Sequence, residues 1–321
     1  MYSKLGITSA ELHRIDYTKE VLQEILDMYE DLYEQVSHKA FMIDAMKSYS
    51  AAMQKDQLYA LASQIKDEVK KIETAMGGKI EDAMYKMADA VVGDYNAYLA
   101  QITRISGIPF GTAYNGVPTQ IVAAIKSGKI YDQKWFLSRA IWGDIKSKQG
   151  MINDIIARGV AENLSSYEIA KRLEDFVNPH KAKFDWKAPG VGKKIEYNSY
   201  RLAKTLITHS YQAAFMRVNR KDPFVIGYRW MISNSGRVCE LCIDRSESDH
   251  AGLGPGVYDK DGVPFDHPNG MCWLEPVMLS LKDIGSALGD WVNGGGDRKL
   301  NREIDAWIKD LGLDRKYGLD L

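Results

Sequence analysis

The sequence predicts a mainly α-helical protein that carries one small α+β subdomain near its C-terminal end. Three observations lead there. Apolar residues recur at helical spacing through the first hundred positions. Two proline- and glycine-rich stretches punctuate the helical patterning without introducing strand-like alternation. Beyond Val225 the character changes to short β-prone runs and turn residues, and all three cysteines of the chain fall there. With 321 residues, 45% hydrophobic and 26% charged, the chain can bury a substantial core.

Residues 1–105 read as an N-terminal helical region. Val21, Ile25, Met28, Leu32 and Val36 share one face of a 3.6-residue repeat, as do Ile65, Val69, Ile72 and Met76. The pattern resumes at Ile80, Met84, Met87 and Val91, so the pair Gly77-Gly78 is expected to break or hinge two helices. Eight acidic residues against two basic ones between Glu11 and Glu34 suit a solvated helix face.

Residues 106–130 form a connection containing glycine and proline, loop-like from Ser106 to Pro118. Residues 131–222 make a central helical region. One helical segment holds Trp135, Ser138, Arg139, Ile141 and Trp142. A second is expected from about Gly143 to Val177, with Ser165 or Ser166 as an N-cap and Glu168 in the first turn. A lysine- and proline-rich linker, Asn178 to Gly190, leads to a helix of about Ser199 to Arg220 that Asp222-Pro223 ends.

Residues 223–280 are the α+β subdomain. Val225 to Ile232 reads as a strand, and Val257 to Phe265 as a short hairpin turning at Lys260-Asp261-Gly262. In residues 281–321, Leu300, Ile304, Trp307, Ile308 and Leu311 mark a terminal helix.

The chemistry-bearing pattern is Cys239-x-x-Cys242, then His267 and Cys272, with 24 residues between the two halves. A C-x2-C turn can aim two thiolates at one zinc ion about 2.3 Å away, and a second knuckle can complete the tetrahedron. Cys239, Cys242, His267 and Cys272 therefore form a candidate site for one structural Zn2+, with His250 and Asp266 as alternative fourth ligands. Small buried thiols are the plain alternative. Against it stands the confinement of every cysteine to this 34-residue segment, and an odd number of cysteines does not suit a disulfide framework. A subdomain of short strands and glycine-rich loops buries little apolar area, so a metal staple suits it.

Enzyme signatures are missing. The chain has no H-E-x-x-H, G-x-S-x-G or phosphate-cradling loop, and Gly252 to Gly256 lacks the third glycine of a dinucleotide fingerprint. The expectation is a non-enzymatic protein without a small-molecule substrate. Its 42 basic and 43 acidic residues argue against a globally basic nucleic-acid binder. Between Asn178 and Lys221, however, ten basic residues face two acidic ones. Lys181, Lys183, Lys187, Lys193, Lys194, Arg201 and Lys204 are candidates for phosphate contacts to DNA, and a solvated helix and linker would explain the same charges. No apolar run is long enough to span a bilayer and no signal peptide is evident, so the expected site of synthesis is a cytoplasm, with no membrane partner.

Leu137-Ser-Arg-Ala-Ile-Trp142, Gly159 to Leu173, Tyr200 to Thr205, and Trp230 ahead of the Cys239/Cys242 and His267/Cys272 knuckles together resemble the phage head morphogenesis family of minor head proteins, also called Mu F-like. The resemblance covers roughly residues 135–276. That family commonly reads His-Pro-x-Cys-Arg-Cys, whereas Gly270 and Met271 stand here in place of the first cysteine and the arginine. The resemblance implies a low-copy minor capsid protein of the virion, inside the head near the portal. Its expected partners are the portal protein, the major capsid or scaffold protein, and the packaged phage DNA. A DNA-binding ejection or packaging factor is the alternative function, and a catalytic effector a more distant one.

Overall fold

The computed structural model describes residues 7–45, 50–131, 137–180, 195–232 and 238–313. It is mainly helical with a small three-stranded antiparallel sheet. The elements in order are α1 (Ile7–Ala45), α2 (Ala51–Ser106), α3 (Val117–Lys126), a 3-10 turn (Lys129–Tyr131), α4 (Leu137–Ala161), α5 (Ser166–Val177), α6 (Tyr197–Asn219), β1 (Val225–Met231), α7 (Glu240–Glu247), β2 (Val257–Tyr258), β3 (Trp273–Met278), α8 (Leu281–Val292) and α9 (Arg298–Asp310). The basic residues 181–194 and Trp135 lie outside the described residues. Among the described residues no helix is long and apolar enough to cross a membrane.

Two compact units share the chain. One comprises Met1–Thr18, Asp82–Ile125 and Lys204–Leu321, the other Lys19–Glu81 and Lys126–Ala203. Helices α1, α2 and α6, and α3 by its last residue, contribute residues to both.

In the second unit α1 buries Val21, Ile25, Tyr29, Leu32, Val36, Ala40 and Ile43, at spacings of three and four. Tyr29 takes the inward position, and Met28 is only half-buried. Facing α2 residues include Leu58, Leu61, Ile65, Val69, Ile72 and Met76. This apolar interior contains one ionic cluster. Lys148 of α4 pairs with Glu73 of α2 and, at 2.8 Å, with Asp144, and it donates to Tyr29 Oη at 2.7 Å and to Ser199 Oγ at 3.1 Å. Lys148 and Glu73 are both buried. The ammonium is therefore satisfied inside low-dielectric surroundings, as a buried charge must be.

The expected hinge at Gly77-Gly78 does not occur, and α2 runs unbroken through both residues. The cost of two interior glycines is about 2 kcal/mol in helix propensity, which burial along the rest of the helix outweighs. Gly77 is small for a packing reason: a Cβ there would lie 2.8 Å from Ile141 Cδ1 of α4. The long helical segment expected from Gly143 to Val177 is two helices. Asn163, with φ of 57°, turns the chain between them, and Ser165 caps α5 by a capping box with Glu168.

In the first unit the sheet order is β2-β1-β3, with Tyr228 opposite Tyr258 and Trp230 opposite Leu274. The hairpin expected within Val257 to Phe265 is corrected by this register: β2 pairs with β1 and not with the residues after the turn. Pro264 lacks the N–H a return strand would need. Beside the sheet an aromatic core gathers Phe110, Phe224 and Trp307. Trp307 Nε1 donates to Tyr95 Oη at 3.0 Å, and Tyr95 Oη donates to Asp222 Oδ2 at 2.9 Å.

Candidate metal centre

Cys239 stands at the N-cap of α7 and Cys242 in its first turn, so the short helix presents both thiols from one end. His267 and Cys272 lie on the loop that leads into β3. These four residues and Asp266 are brought close together. The ligand atoms of Cys239, Cys242 and His267 lie within 4.8 Å of one another, and so do those of Cys242, Asp266 and Cys272. Cys242 belongs to both groups and is buried with Cys272 and Asp266, while Cys239 is exposed.

His267 Nε2 is 3.3 Å from Cys239 Sγ, and Nδ1 is 3.0 Å from the Pro268 carbonyl. A carbonyl only accepts, so Nδ1 carries the proton and a neutral ring keeps its Nε2 lone pair on the cysteine side. That is the tautomer a metal ligand needs, held by an outer hydrogen bond.

The thiols differ electrostatically. The Cys242 backbone N–H beside Cys239 lowers the Cys239 pKa, and the His267 ring adds to the effect. Burial raises the Cys242 pKa, and the neighbouring sulfurs and the Asp266 charge raise it further. Burial opposes charge on His267, yet the Pro268 carbonyl, Asp266 and Cys239 outweigh it and push that pKa up. Crowded sulfur and carboxylate groups repel one another as anions, and a divalent cation is the partner that would relieve this.

Asp266 is engaged differently from the other four. Its Oδ1 accepts from the His267 backbone N–H at 2.8 Å and its Oδ2 from the Cys272 backbone N–H at 2.9 Å. The carboxylate thus ties together the backbone of two candidate ligands. It fills the space beside Gly270, where any Cβ would meet Asp266 Oδ2 at 2.1 Å. Arg245 Nη1 lies 3.9 Å from Oδ1, and its guanidinium also sits 4.7 Å over the Trp230 ring.

The loop itself is held from α6. Asn269 N–H donates to Thr205 Oγ1 at 2.9 Å, Thr208 Oγ1 donates to the Gly270 carbonyl at 3.2 Å, and Asp266 N–H donates to Gln212 Oε1 at 2.9 Å. His209 Nε2 is 2.9 Å from the Asp266 carbonyl. Burial lowers the His209 pKa, which keeps the ring neutral and donating from Nε2. Positions 205, 208, 209 and 212 share one helical face. That polar stripe was a signal available in the sequence for residues that support the site.

His250, an alternative ligand by sequence, is not grouped with these atoms; its ring stacks on Tyr258 at 4.3 Å. Of the candidate DNA contacts, Lys181, Lys183, Lys187, Lys193 and Lys194 lie outside the described residues. Arg201 is exposed and Lys204 half-buried on α6. No protein-family model, curated protein or solved structure matches the chain.

Proposed function

We propose that this chain is a minor head protein of a phage, a structural component that acts in head assembly, with one Zn2+ stapling its sheet-bearing part. Cys239, Cys242, Cys272 and His267 Nε2 would hold the ion, and Asp266 would orient the loop by its two backbone hydrogen bonds. The observation that carries the metal reading is the approach of the chain's three thiols and the His267 imidazole in two overlapping groups that share Cys242, from segments 24 residues apart. Three sulfurs and one nitrogen fill four positions. Such a closed shell supplies folding energy and offers no open position for a substrate.

The assembly role is supported by the resemblance that the residues between 135 and 276 carry. On that reading the protein sits inside the capsid near the portal, with the portal protein and the major capsid or scaffold protein as partners. Elemental analysis of purified protein is expected to find about one zinc per chain, and Cys239→Ser and Cys272→Ser should each abolish it. Mass spectrometry of particles assembled with and without this chain tests the role. Particles that never incorporate it, and that assemble and package normally without it, would overturn the head-protein reading.

A further inference from the structure

We propose that Arg14 is a positioning residue of the metal centre, and that zinc binding fixes the first turns of α1 against the loop carrying His267 and Cys272. The inference rests on the metal reading above and adds a remote element to it. Arg14 is only 1% exposed. A guanidinium has five N–H donors, and buried ones must all find acceptors.

Every donor of Arg14 can be followed to its partner. Nε donates to Glu11 Oε2 at 2.7 Å and Nη2 to Glu11 Oε1 at 2.5 Å, so the pair is bidentate and the charge is neutralised within α1. The second Nη2 proton goes to the Met271 carbonyl at 2.8 Å, and Nη1 reaches Thr208 Oγ1 at 3.2 Å and Met271 Sδ at 3.4 Å. Two acceptors therefore belong to the residue that precedes Cys272. Thr208 in turn donates to the carbonyl of Gly270, so a single chain of hydrogen bonds runs from α1 through α6 into the loop.

The same turns of α1 are also held by Asp94, which accepts from Ala10 N–H at 2.8 Å. Releasing Cys272 and His267 from a metal removes a restraint on Met271 and Gly270 and leaves them to the hydrogen bonds from α6 and Asp266 alone. Displacement of the loop leaves a buried cation short of acceptors, and the α1 turns that carry it must then loosen. By thermodynamic linkage, a firmly seated Arg14 must also tighten metal binding.

The test uses the full chain, zinc-loaded and after chelator treatment, with amide hydrogen exchange followed over residues 9–18 and zinc affinity measured by competition with a chromogenic chelator. Zinc removal is expected to speed exchange in residues 9–18 of the wild type. Arg14→Met should weaken zinc binding on the order of 10- to 100-fold, and Arg14→Lys, which cannot reproduce the fork, should recover only part of the loss. A wild type that binds zinc while exchange in 9–18 ignores the metal overturns the coupling alone, whatever the variants do. A wild type that takes up no zinc overturns the metal reading and this inference with it. The wild-type exchange comparison decides the matter even where a variant fails to fold.

Discussion

Gly270 shows how narrowly the candidate site is constrained. Asp266 Oδ2 lies where a side chain would begin, so Gly270→Ala must push the carboxylate off the Cys272 N–H or displace the loop. Zinc affinity of that variant is expected to fall about 10- to 100-fold, the usual effect of losing an outer hydrogen bond around a metal, with helical content unchanged. Chelator competition and circular dichroism read the two quantities. Asp222 makes a second test at this scale. Burial raises its carboxyl pKa to about 6, against the hydrogen bonds from Phe224 N–H and Tyr95 that lower it. A folded-state value above the unfolded one means that the native chain binds the proton more tightly. Its contribution is therefore fully present below pH 4 or so and is lost as pH rises through 6. Asp94, raised to about 6 by burial, has the same sign. Asp222→Asn should accordingly lose less Tm than the wild type between pH 5 and pH 7.5, and equal losses would refute the assignment. The three cysteines were legible as candidate ligands because their spacing and clustering suit metal chemistry, whereas spacing alone left the fourth position open among His267, His250 and Asp266. The grip of Thr205, Thr208, His209 and Gln212 was not read, because each residue is ordinary in an amphipathic helix and only their common face marks them.

Among the elements, the long helices were the most legible, since burial at spacings of three and four repeats for many turns. Gly77-Gly78 misled because local propensity disfavours helix there, whereas packing of Ile141 against Gly77 favours continuity. The two glycines now separate by experiment. Nothing lies within 4 Å of a Cβ added at Gly78, so Gly78→Ala should stabilise the chain by roughly 0.5–1 kcal/mol. Gly77→Ala should gain less or lose stability, because the Ile141 methyl must give way. Urea unfolding of both variants checks the order. In the sheet, β1 was legible and β2 was read as β structure with the wrong partner, while β3 was not read. A β3 that contains Pro276 carries too little pattern to announce itself, and the pairing of β2 and β3 with β1 spans tens of residues that no local signal encodes.

At the scale of the molecule, the metal reading and the ionic cluster around Lys148 belong to different units. Chelation should therefore speed hydrogen exchange across β1, β2 and β3 while leaving the amides around Glu73 and Lys148 at their former rates. Equal acceleration everywhere would show that the zinc staple serves the whole chain. Lys148 draws Tyr29, Glu73, Asp144 and Ser199 to one point from α1, α2, α4 and α6. Leucine against leucine tolerates a helix sliding by a turn, because one greasy surface resembles the next. An ammonium ion surrounded by oil does not, since a slipped neighbour would strand it without its counter-ion at several kcal/mol. Such a cluster penalises near-miss packings of these helices that hydrophobic burial alone would accept.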